Sequence, residues 1–89
     1  MTKNEHVFYG TERNGNALSV SIPQETLDRL NCETIVPFGD GSDLMVITRF
    51  GIDDYDVWFT DVNHLTDESY GSSARGSFAS ILDEIKEVL

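Results

Sequence analysis

The densest group of chemically capable side chains in this sequence is Asp53-Asp54-Tyr55-Asp56, three carboxylates within four residues. A hard cation such as calcium or magnesium takes oxygen ligands of this kind. The run lacks the glycine and the later glutamate of a calcium loop, and a solvated turn leading into a strand accounts for the same letters. Gly71-Ser72-Ser73-Ala74-Arg75-Gly76-Ser77 has the glycines and the cation of an anion-binding loop ahead of a helix, but no Walker pattern; a flexible loop ending in a helix cap explains it as well. His6 and His64 have no zinc-like spacing, and no Gly-x-Ser-x-Gly elbow presents a nucleophile to His64. Cys32 stands alone beside Glu33, which raises a thiol's pKa and disfavours a reactive thiolate. These readings assign no catalytic residue, no metal and no cofactor, and point to a non-enzymatic protein.

Charge narrows the partners. Six basic residues stand against sixteen acidic ones, a formal charge of −10. Such a chain repels a phosphate backbone overall, so any DNA contact must be local and weak. The acidic, lysine-poor composition fits a salty cytoplasm, imitation of nucleic acid, or plain solubility, the last being the default. A lone cysteine forms no internal disulfide and fits a reducing compartment. The start MTKNEHVFYG has no apolar run of signal-peptide length, and no segment approaches the roughly 18 apolar residues of a membrane span. A cytoplasmic protein that does not engage membranes is expected.

The elements that must position these side chains fit a single domain over residues 1–89. At this size folding removes only roughly 60–65% of the unfolded surface from water, which leaves little room for a large internal site and gives a dimer something to add. His6 to Tyr9 predicts a strand, Asn14-Gly15 a tight hairpin turn, and Ala17 to Ile22 a second strand with Leu18, Val20 and Ile22 on one face. Pro23 suits the first position of a short helix through Arg29 or Leu30. Thr34 to Phe38 and Leu44 to Phe50 predict a hairpin around Gly39-Asp40-Gly41-Ser42-Asp43, and Asp54 to Val62 a further strand. There Tyr55, Val57 and Phe59 oppose Asp56, Trp58, Thr60 and Val62.

Residues 63–76 read as a polar loop. Ser77 then caps a helix over 77–88 whose Phe78, Ile81, Leu82, Ile85 and Val88 form an apolar stripe against the sheet. The expected class is α+β: a small antiparallel domain of four or five strands, with a short helix and a C-terminal amphipathic helix in the order ββαβββα.

The stretch RNGNALSVSIP, residues 13–23, followed by Thr26, Leu27 and Leu30, resembles the N-terminal signature of the AbrB and MazE family of swapped-hairpin regulators. The shared features are a basic residue, a Gly-Asn turn, alternating small and apolar residues, an Ile-Pro pair and a short helix. The resemblance covers about twenty residues and implies an interleaved dimer. It also implies DNA contacts from the first hairpin and, in the antitoxin branch, an acidic C-terminal segment that wraps a toxin. Arg13 falls on a family basic position. Glu12 precedes it, Ser21 stands where the family commonly carries arginine, and Cys32 to Pro37 lacks the family's Gly-Asp-x-Val turn.

Two function classes follow. One is an AbrB-like regulator or antitoxin, a homodimer with Arg13, Asn16 and Arg29 near nucleic acid. The other is an acidic interaction protein, such as an inhibitor or nucleic-acid mimic of the kind mobile elements encode, which fills a basic groove of its partner. Asp53, Asp54, Tyr55, Asp56 and Trp58 offer charge for steering and aromatic area for anchoring. Contacts to a basic protein are therefore expected to dominate over autonomous DNA binding.

Overall fold

The computed structural model describes residues 4–12, 14–39 and 43–88. Strands β1 (Glu5–Thr11) and β2 (Ala17–Pro23) form one antiparallel hairpin, and helix α1 (Gln24–Leu30) follows directly. Strands β3 (Thr34–Phe38), β4 (Asp43–Gly51), β5 (Asp54–Asp61) and β6 (Ser72–Gly76) form an antiparallel sheet in that spatial order, and helix α2 (Phe78–Val88) closes the fold. The α+β class and the sequence of expected elements hold, with β6 as an additional strand inside the stretch read as a polar loop. Two serines, an alanine and a glycine give β6 little strand preference of its own; it is made by its register on β5, Phe59 opposite Ser72 through Tyr55 opposite Gly76. Among the described residues no helix is long and apolar enough to cross a membrane.

The four-stranded sheet is covered on both faces, which explains the unbroken apolar run Leu44-Met45-Val46-Ile47 on a central strand. One face carries Ile35, Leu44 and Val46 against Ile22 and Leu65, with Phe8, Val20, Leu27 and Leu30 from the hairpin and α1 completing the layer. The other carries Phe38, Met45 and Val57 against Ile81 and Ile85 of α2. The alternation expected for β5 is therefore real, and each half of it faces a different layer. Pro37 sits on the edge strand β3, where a missing N–H is tolerated. β1 crosses there so closely that a Cβ on Gly10 would stand 2.0 Å from the Pro37 carbonyl oxygen.

Two further expectations need correction. Pro23 is the last residue of β2 and the N-cap of α1, not its first helical residue, because its ψ of 140° is extended. The apolar stripe of α2 docks through its middle: Ile81 is 1% exposed, whereas Phe78 is 51% and Val88 39% exposed. An eleven-residue helix crossing a twisted sheet touches it only along its central turns, and Phe78 instead meets Tyr55 edge-on at 5.5 Å. The residues expected to reverse the chain at 40–42 lie outside the described residues.

Asp53 is more than a solvated turn residue. Its φ is +54°, and its Oδ1 accepts a hydrogen bond from the Phe78 backbone N–H at 2.9 Å, while Ser77 Oγ accepts from the Ser80 N–H at 3.2 Å. The first turn of α2 thus has two side-chain caps, one from a distant turn. Asp53→Ala is expected to lower stability by about 1–2 kcal/mol, through loss of the cap and retention of the left-handed backbone. Asp53→Asn, which keeps an acceptor and tolerates that conformation, is expected to cost clearly less. Equal losses in urea unfolding would show that Asp53 contributes no cap.

Candidate binding groove

The face of β5 that points towards α1 carries Asp54, Asp56 and Trp58, and the cross-strand pairs place Thr48 opposite Asp56 and Val46 opposite Trp58. β6 adds Ser73 opposite Trp58 and Arg75 opposite Asp56. α1 is too short to cover this end of the sheet. Its last residues Arg29 and Leu30, with Glu68 from the β5–β6 connection, form the far wall of a groove of about 210 Å³ over Val46, Thr48, Asp56, Trp58 and Ser73. A second hollow of about 260 Å³ continues past Arg29 and Leu30 to Leu65 and Thr66.

The polar groups of this face are unequally satisfied. Arg75 forks onto Asp54, with Nε 3.1 Å from Oδ1 and Nη2 2.9 Å from Oδ2, and its guanidinium lies 4.0 Å over the Phe50 ring. That hydrogen bonding holds the Asp54 carboxyl below the usual carboxylate range. Asp56, half-buried next to the same arginine, receives no hydrogen bond among the described residues; burial pushes its pKa up against the opposing pull of Arg75. Partial desolvation of a carboxylate without a donor favours its neutral form.

Trp58 is fixed by its Nε1–H, which donates to the Tyr70 carbonyl at 2.7 Å. Tyr70 in turn stacks on His64 with ring centroids 3.6 Å apart and 4° between planes. His64 Nδ1 lies 2.6 Å from Asp61 Oδ1, and hydrogen bonding to His64 is the main reason the Asp61 carboxyl sits below its ordinary range. The same carboxylate raises the Tyr70 phenol. The Ser69 hydroxyl donates to Asp67 Oδ1 at 2.6 Å, so it bonds to a carboxylate and not to His64. The loop is a brace behind the groove.

Of the residues singled out in the sequence for protein contact, Asp54, Asp56 and Trp58 share this face. Tyr55 points into the α2 layer, and Asp53 caps α2. Of those singled out for nucleic acid, Arg13 lies outside the described residues, and Asn16 is exposed at the hairpin tip with its N–H bonded to Asn14 Oδ1 at 3.1 Å. Arg29 borders the groove; the seven-residue strand β2, spanning roughly 20 Å, and helix α1 separate it from Asn16. Thr48, Glu68 and Ser73 were missed. The turn at 50–53 would have given the Thr48–Asp56 pair, but nothing local marks Glu68 or Ser73.

A larger hollow, about 420 Å³, lies between β1 and α1 and is lined by His6, Phe8, Gln24, Leu27, Asp28, Asn31, Cys32 and Glu33. Burial raises the Cys32 thiol, with Glu33 adding to the effect, so the sulfur there is a poor nucleophile. Among the described residues no three His, Cys, Asp or Glu side chains converge to hold a metal ion. No protein-family model, curated protein or solved structure matches the chain.

Proposed function

We propose that this protein is a non-enzymatic acidic binding protein that engages a basic protein partner through the Trp58 groove. The carrying observation is Asp56, a half-buried carboxylate without a hydrogen-bond donor beside a fixed indole. An arginine side chain entering the groove gives Asp56 the donors it lacks, meets Glu68 at the rim, and lays its guanidinium on Trp58. The charge of −10 steers a basic partner toward the protein and repels nucleic acid. An AbrB-like regulator remains the second reading only through Asn16 on the exposed hairpin tip. Arg29 borders a groove that also holds the carboxylates Asp56 and Glu68, which repel a phosphate.

Trp58 is the sole tryptophan, which makes its emission a direct reporter. Titration with a short arginine-rich peptide is expected to shift that emission saturably, less so as salt rises. Asp56→Asn is expected to weaken the binding about tenfold, the worth of one charge-assisted hydrogen bond. Because burial raises the Asp56 pKa, binding should fall on acidification before the exposed carboxylates titrate. Unaltered emission, or equal affinity in Asp56→Asn, would sink the groove reading. Salt-resistant binding to the gene's own promoter, lost in Arg13→Ala, would replace it with the regulator.

A further inference from the structure

The two edges of the four-stranded sheet are not equivalent. β3 is blunted by the buried Pro37 and by β1, which crosses it at Gly10. β6 has neither protection. Its backbone pairs with β5 alone, and among the described residues no backbone hydrogen bond joins residues 72–76 to any other element. It carries no proline, no lysine and no bulge, the usual means by which an open edge is kept from pairing.

Charge singles out the same edge. No Asp or Glu occurs between Glu68 and Asp83, the longest acid-free run in a chain with sixteen acidic residues, and this run contains β6 and the first turn of α2. The run's one charge, Arg75, is folded back onto Asp54 and Phe50. Two copies that repel each other through their acidic surfaces elsewhere repel least along this acid-free strand. The side chains of Ser72, Ser73 and Ala74, with Gly76, are small enough to let a second edge reach the strand spacing of about 4.8 Å.

We propose that β6 pairs antiparallel with β6 of a second copy about a two-fold axis perpendicular to the sheet, so that the two sheets join into one of eight strands. This axis keeps each sheet face on its own side: both α2 helices lie on one face and both Trp58 grooves on the other. If the groove reading holds, on which this last consequence rests, the dimer presents two arginine-binding grooves side by side. A five-residue edge is a small interface, so monomer and dimer exchange with concentration.

Sedimentation equilibrium over a wide concentration range, at low and high salt, tests the pairing. The mass should rise from one chain to two with concentration, and more readily at high salt, because screening relieves the repulsion between two chains of −10 each. Amide exchange of residues 72–76 should slow in step. Ser72→Lys, exposed on β6 and outside the groove, should return the mass to one chain with unchanged circular dichroism. A single-chain mass at every concentration overturns the proposal and leaves the edge to an extended segment of another protein. A dimer that ignores Ser72→Lys, or that weakens at high salt, overturns it too. Failure of the groove would appear separately, in the peptide titration of monomer at low concentration.

Discussion

Replacing Ile81 by alanine is expected to cost about 2–5 kcal/mol of unfolding free energy, the largest effect of any single truncation in α2. Ile81 is 1% exposed and lies against Phe38, Met45 and Val57, where strands from three positions of the sheet meet the helix. No other α2 side chain is fully buried; Ile85 and Leu82 are half-buried. Removing the side chain leaves a cavity that two central strands cannot collapse into, because β4 and β5 are held from the opposite face by the hairpin and α1. In a chain of 89 residues, with total stability of roughly 5–13 kcal/mol, that loss corresponds to a fall in Tm of about 10–25 °C. Phe78→Ala, on the same stripe but half-exposed, should cost about 1 kcal/mol or less. Thermal melts giving equal losses for the two variants would show that α2 docks along its whole stripe.

Gly71→Ala is the second large change, expected at about 2–5 kcal/mol. The residue has φ +81°, where a side chain costs about 1–2 kcal/mol. Its Cβ would also stand 2.0 Å from the Phe59 carbonyl oxygen, and pushing backbone apart adds about 1–3 kcal/mol. Gly15, with φ +91° and nothing within 4 Å of a Cβ, isolates the first contribution, so Gly15→Ala should lose only about 1–2 kcal/mol. Gly71 precedes β6 and follows the Tyr70 carbonyl that holds the Trp58 indole. Its alanine variant should therefore shift Trp58 emission in the folded state, and Gly15→Ala should not. Equal losses, with unmoved emission in both, would mean that the loop yields without disturbing the groove.

What the sequence by itself determined was everything governed by short-range pattern. The alternation of Leu18, Val20 and Ile22, the Asn14-Gly15 turn, and the opposition of Tyr55, Val57 and Phe59 to Asp56, Trp58 and Thr60 each specify a strand or a turn from neighbouring residues alone. The same holds for the existence of both helices and for their order along the chain. Only the tertiary structure decided β6, because Ser72-Ser73-Ala74-Arg75-Gly76 has no periodic apolar signal and becomes a strand by borrowing the hydrogen-bonding edge of β5. Tertiary structure also separated residues that sequence proximity had joined. In Asp53-Asp54-Tyr55-Asp56 the first caps α2, the second holds Arg75, the third enters the α2 layer and the fourth is left without a donor in the groove. A period of two sends neighbours to opposite faces, so a run of like residues on a strand is not a patch. The groove draws Arg29, Thr48, Asp56, Glu68 and Ser73 from five parts of the chain, and their meeting depends on strand register and on how far α1 reaches across the sheet.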